Sequence, residues 1–104
     1  MKRKVLEIPK PQKGEPVKAI LYVDDELSFL NAVQIKDEIS EHLKEFDQLL
    51  IQANIAHLDL TGVQLLYSIR KSCETLNKKV IYNIKMNEEL KNLISRSGFK
   101  ELFN

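Results

Sequence analysis

A carboxylate, a hydroxyl and a glycine stand within four residues at Asp59-Leu60-Thr61-Gly62. They lie between an apolar run, Leu49-Leu50-Ile51, and a helix-period pattern that opens at Val63. A strand, a brief loop and a helix in that order would hold the Thr61 hydroxyl out at a helix N-terminus. The first N–H groups of a helix have no internal partner, so the position suits a negative charge or a phosphoryl group. Either Thr61 is a regulated hydroxyl, or it has the plainer role of an N-cap, worth about 1 kcal/mol, for which Asp59 is a second candidate. Gly62, just behind the cap, costs helix stability; close approach of something to the backbone would account for it.

Other combinations support less chemistry. Asp24-Asp25-Glu26 closes a second apolar run. If that strand neighbours the one before Asp59 in a parallel sheet, both acidic groups share the carboxyl edge where open α/β sheets bind ligands; a plain charged turn would read the same way. His42 falls mid-helix beside Glu41, and His57 falls in the loop before Asp59. Two histidines far apart, with no third ligand at a metal spacing, do not make a metal site. Cys73 is the only cysteine, so the chain has no internal disulfide; on an apolar stripe it reads as a buried, inert thiol. Gly-x-Ser-x-Gly, the P-loop and Gly-x-Gly-x-x-Gly are all missing, and three glycines leave no Gly-rich phosphate cradle. The chain is expected to be no enzyme and to need no cofactor or metal.

The elements that must position these residues follow from periodicity. Lys4–Ile8 alternates weakly as a first strand, and Pro9, Pro11, Gly14 and Pro16 mark a loop. Val17–Val23 is a second strand, apolar enough to be covered on both faces and ended by Asp24-Asp25-Glu26. Ala32, Ile35, Ile39, Leu43 and Phe46 recur at helical steps and predict a helix over 29–46, capped by Ser28 or Asn31. Gln48–Ala53 is a third strand. A second helix over 61–76 carries Gly62, Leu66, Ile69, Cys73 and Leu76, and Asn77-Lys78-Lys79 breaks it. Val80–Ile84 is a fourth strand. Asn87 caps a third helix with Leu90, Leu93 and Ile94, ended by Ser97-Gly98; Phe99, Leu102 and Phe103 tuck a tail against the core. The order β-β-α-β-α-β-α predicts an α/β domain over 1–104: a mixed sheet of four to five strands, parallel where helices intervene, with helices mainly on one face. The first two strands would pair antiparallel.

Bulk properties narrow the setting. With 43% hydrophobic and 30% charged residues the chain is an ordinary globular protein, and its apolar runs fall short of the roughly 20 residues that cross a bilayer. A cytoplasmic protein without a membrane span is expected. Net charge is +1, but residues 1–18 hold six Lys/Arg against two Glu. No aromatic interleaves those charges, so they read as a solvated edge and not as a nucleic-acid surface.

On these motifs the chain resembles the STAS domain family, found in bacterial anti-sigma factor antagonists and in the cytosolic tails of sulphate-permease-type transporters. Asp59-Leu60-Thr61-Gly62 is similar to the family's Asp-x-Ser/Thr-Gly loop. Leu27-Ser28-Phe29-Leu30-Asn31-Ala32 is similar to a segment common in the transporter branch, and Ser97-Gly98-Phe99 to the ending of the third helix. The resemblance implies a non-enzymatic switch. Phosphorylation would fall on Thr61, and Asp24, His57, Asp59, Thr61, Gly62, Gln64 and Leu65 would meet the partner. That partner would be a serine/threonine kinase or anti-sigma-type factor, with a phosphatase to reset the switch. The transporter-like segment implies the alternative, a constitutive regulator or transporter-associated domain that binds a nucleotide, an anion or a protein without covalent change. The initial Met and the full β/α order favour a stand-alone protein over an excised tail.

Overall fold

A computed structural model describes residues 5–96. Seven regular elements follow in chain order: β1 (Leu6–Glu7), β2 (Lys18–Leu27), α1 (Ala32–His42), β3 (Gln48–Leu58), α2 (Leu60–Thr75), β4 (Lys79–Met86) and α3 (Glu88–Arg96). The sheet order is β1-β2-β3-β4. β1 pairs antiparallel with β2, and β2, β3 and β4 are parallel. The expected mixed sheet and its antiparallel first pair are both present. Successive crossovers that step the same way across a sheet, each right-handed, place their helices on one face. Accordingly α1 packs on α2, and α2 touches both β2 and β4.

Alternation shows which face is covered. Ala19, Leu21 and Val23 of β2 and Leu49, Ile51, Ala53 and Ile55 of β3 are buried, while their sequence neighbours Ile20, Tyr22, Leu50 and Gln52 are only half-buried. Among the described residues β2 is thus covered on one face only, where its apolar run suggests cover on both. The helical stripes close the core from the other side. Ala32, Ile35 and Ile39 come from α1, and Val63, Leu66, Ile69 and Cys73 from α2. Each Leu or Ile sealed there contributes about 1.5–3 kcal/mol. Phe46, expected inside the first helix, is buried beyond its end, after a 3₁₀ turn at Leu43–Glu45.

The strands overrun their expected ends. β2 does not stop at Asp24-Asp25-Glu26. It pairs with β3 through Leu27, because a one-residue slip in register lets the acidic stretch stay in the ladder: Asp25 is opposite Ile55 and Glu26 opposite His57. Asp25 takes a left-handed backbone (φ 73) at that irregularity, a conformation Asp tolerates better than most side chains. β3 likewise continues to Leu58, so His57 is a strand residue, not a loop residue. At the far end of α2, Asn77 adopts φ 58 and the N–H of Lys78 bonds to the carbonyl of Cys73 at 2.7 Å. This left-handed stop is the physical form of the expected break. Asn87 caps α3 as expected, its Oδ1 accepting from the Leu90 N–H at 2.8 Å. The expected close of α3 at Gly98 and the Phe99, Leu102 and Phe103 tail lie outside the described residues.

Candidate functional site: the junction of β3 with α2

No loop separates β3 from α2; Asp59 alone turns the chain. It is the N-cap, and its carboxylate spans two elements. Oδ1 accepts from the Gly62 N–H at 2.9 Å within its own helix. Oδ2 accepts from the Phe29 N–H at 3.0 Å, in the connection from β2 to α1. These two N–H groups, Phe29 first, hold the Asp59 pKa below the ordinary carboxylate value. The capping role weighed between Thr61 and Asp59 therefore belongs to Asp59.

Gly62 is buried, and the reason is packing within the chain. A Cβ built there would collide with the carbonyl of Leu27, with its carbon at 2.8 Å, and would press on the Leu27 side chain at 3.0 Å. The backbone that approaches closely is the last residue of β2. The Leu27 carbonyl also accepts from the Asp59 N–H at 3.3 Å. The first turn of α2 is thereby clamped to the end of the neighbouring strand.

With capping assigned elsewhere, Thr61 is exposed in that first turn, and among the described residues no hydrogen bond holds its hydroxyl. It lines a groove of about 260 Å³ between α1 and α2, with Val33 and Lys36 on one wall and Gln64 and Ser68 on the other. Large apolar side chains cluster at this end of the molecule: Phe29 is 67% exposed, Leu30 71%, Val33 67% and Leu60 59%. Single exposed hydrophobics are ordinary, but a contiguous group is a mark of interaction surfaces. The segment 26–31 holds Phe29 and Leu30 outward. Ser28 Oγ donates to the Glu26 carboxylate and accepts from the Leu30 N–H at 3.2 Å. Asn31 accepts from the Ser28 N–H at 2.9 Å and donates to the Glu26 carbonyl at 2.7 Å. Asn31 is the N-cap residue of α1 by position, but its side chain supports this turn and makes no capping bond.

Of the residues named from sequence, Asp59, Thr61, Gly62, Gln64 and Leu65 come together here. Leu65 is only 6% exposed, so it faces mainly the core. His57 is exposed near the end of β3, opposite Glu26. Asp24 falls in one row with Asn54 and Lys85, and strand alternation sets that row on the face away from the helices, apart from Thr61. Phe29, Leu30 and Val33 were not singled out as contacts, although they flank the motif in space. The signal was present as apolar residues outside the Ala32-Ile35-Ile39 stripe.

The remaining candidates stay apart from this site. Cys73 is fully buried and burial pushes its thiol pKa up, as an inert core thiol requires. His42 lies on α1 with Glu38 and Glu41, one ligand atom of each within 4.8 Å of the others. Helical spacing, not recognised from the sequence, brings them together. A hydrogen bond with Glu45 chiefly holds the His42 pKa above its usual value. No helix of the described residues is long and apolar enough to cross a membrane.

Comparison with known proteins decides the family. The STAS domain model matches residues 7–104. The chain belongs to the STAS domain family. The fold agrees with two solved structures. One is the anti-sigma factor antagonist SpoIIAA in its unphosphorylated form, with a TM-score of 0.69 and 14% identity, covering 95% of this chain and 85% of that one. The other is the Bacillus cell fate determinant SpoIIAA in the phosphorylated form, with a TM-score of 0.64 and 14% identity, covering 95% and 88%. At such identity the likeness is one of fold. No curated protein matches the sequence closely enough to count as a relative. Within this STAS chain the residues that carried the resemblance play separate parts. Asp59 and Gly62 build the junction, while Leu60 and Thr61 are turned to solvent.

Proposed function

We propose that this STAS domain is a regulatory protein-interaction module of the anti-sigma factor antagonist kind, switched by phosphorylation of Thr61. The observation that carries the reading is an exposed hydroxyl, relieved of capping by Asp59 and set beside exposed Phe29, Leu30, Val33 and Leu60. A phosphate there adds about −1.5 to −2 charges. The N-terminus of α2 stabilises that charge locally. A partner whose own apolar surface covers the cluster would have to desolvate the charge, and would be released. The partner is a serine/threonine kinase or anti-sigma-type factor, with a phosphatase to restore the hydroxyl, and the chain itself does no chemistry.

The test is to incubate the protein with candidate kinases from its own genome and ATP, then map phosphate by mass spectrometry. Phosphate on Thr61 is expected, together with loss of partner binding in Thr61→Glu and its retention in Thr61→Ala. An unmodified Thr61, with normal binding by Thr61→Glu, would sink the switch. The transporter-like segment 27–32 favours one second reading, a constitutive module that binds a nucleotide, an anion or a protein at the same end. Amide NMR shifts confined to residues 57–66 on addition of ATP or GTP alone would favour it.

A further inference from the structure

We propose that a phosphate on Thr61 is received within the chain by Lys36, across the groove between α1 and α2. The proposal rests on the reading of Thr61 as the modified residue and adds where the phosphate goes. Lys36 stands on the α1 wall of that groove. Thr61, Gln64 and Ser68, at steps of three and four residues, form the polar stripe of the α2 wall. Among the described residues that line the groove, Lys36 is the only cation and none is a carboxylate. Lys36 also differs from other helical cations. Arg70 and Lys91 each have a carboxylate one turn away, Glu74 at 2.9 Å and Glu88 at 3.7 Å. One turn from Lys36 stand Ala32, Val33, Ile39 and Ser40, none of them acidic. Among the described residues no ion pair or hydrogen bond engages its ammonium.

The fold brings the cation and the hydroxyl to one level. β2, β3 and β4 are parallel, so α1 and α2 return in the same direction, packed on one another. The Asp59 carboxylate ties their starts together through the Phe29 and Gly62 N–H groups. Lys36 is four residues beyond the start of α1, which is about 6 Å along the axis. Helical side chains tilt toward the N-terminus of their own helix. The flexible four-carbon stem of Lys36 is thereby inclined toward the first turn of α2, where Thr61 stands. Asp59, the carboxylate nearest to Thr61 in the chain, does not line the groove. One lysine balances only part of a charge of about −1.5 to −2. The modified end therefore stays negative toward a partner, and the ion pair occupies the groove beside exposed Val33.

The test needs no kinase. Phosphothreonine is placed at position 61 of the whole chain by chemical ligation, and its second ionisation is followed by phosphorus NMR. Pairing favours the dianion, so this ionisation should fall lower in the parent than in Lys36→Gln, by about 0.5 pH unit. Lys36→Arg should keep the parent value, and salt at about 1 M should erase the difference. Lys71→Gln removes an exposed cation of α2 that is seated over Tyr67 and not in the groove; it should move the ionisation by less than about 0.1 unit. All three variants change exposed side chains, and parent-like amide spectra will verify the fold. Equal values for the parent and Lys36→Gln overturn the proposal. So does an equal shift in Lys71→Gln, which would assign the effect to net charge alone. Failure of kinases to modify Thr61 would sink the switch and leave this measurement intact, so the two readings fail separately.

Discussion

Two strand-to-helix junctions meet at the carboxyl edge of this sheet, and they are built differently. From β3 to α2 one residue, Asp59, makes the turn, and the backbone of Gly62 rests directly on the Leu27 carbonyl. From β2 to α1 the segment 28–31 makes it with side-chain bonds of Ser28 and Asn31 to Glu26 beside backbone bonds from the Asn31 and Ala32 N–H groups to the Ser28 carbonyl. The first junction leaves no room between two backbones. The second adds replaceable side-chain contacts and carries the exposed Phe29 and Leu30. The Asp59 carboxylate links the two. A surface meant to meet a partner can thus vary on the second junction while the first fixes where Thr61 stands.

The largest effect should come from breaking the first junction. Gly62→Ala drives a methyl into the Leu27 carbonyl, where the obstacle is backbone and cannot swing aside. A loss of about 2–3 kcal/mol is expected from urea unfolding, with the helix start displaced from β2. A loss under about 0.5 kcal/mol would mean the junction is no stiffer than its neighbour. Next comes Asn31→Ala, which removes both bonds of the side chain, to the Ser28 N–H and the Glu26 carbonyl. A loss of about 1–2 kcal/mol is expected. Amide shifts should be confined to residues 26–33. Shifts spreading through the first turn of α2 would show that the junctions are coupled more tightly than one carboxylate can manage.

The same contrast separates what could be read from the sequence from what could not. The Asp59-x-x-Gly62 pair announces a cap and a close approach, and both are found, because each is a local demand on residue type. The core stripes of α1 and α2 were legible for the same reason: period fixes face. The ends of β2 and β3 were not. Asp24-Asp25-Glu26 reads as a stop, but a slip in the β2-β3 register carries it through as strand, and that slip depends on residues thirty positions away. The outward set of Phe29 and Leu30 was also hidden, since it rests on Ser28, Asn31 and Glu26 acting together. The apolar run of β2 suggests burial on both faces, and only the placement of the helices shows that, among the described residues, one face is left uncovered.

A smaller effect with a pH signature is expected for Asp59→Asn, which keeps an oxygen acceptor and gives up the charge. The folded-state pKa of Asp59 is lowered, so its carboxylate contributes stability above the ordinary value near 3.8, and that contribution is lost as pH falls through the lowered value. The gap in urea stability between parent and variant should be full at neutral pH and should narrow through the acid range below about pH 4. A gap of constant size down to strongly acid pH would show that the link between the junctions does not depend on charge.

The smallest effect is the most telling one. Thr61 shares the first turn of α2 with Gly62, yet it is exposed and neither caps the helix nor enters the core. Thr61→Ala should therefore leave unfolding within about 0.5 kcal/mol of the parent, since alanine is also the better helix former. Urea midpoints for Thr61→Ala and Gly62→Ala, measured side by side, set a near-silent position against a costly one a single residue away. A loss of about 1 kcal/mol at Thr61 would mean that the hydroxyl supports the junction after all. Its exposure would then have a structural explanation, and the proposed switch would lose the observation it rests on.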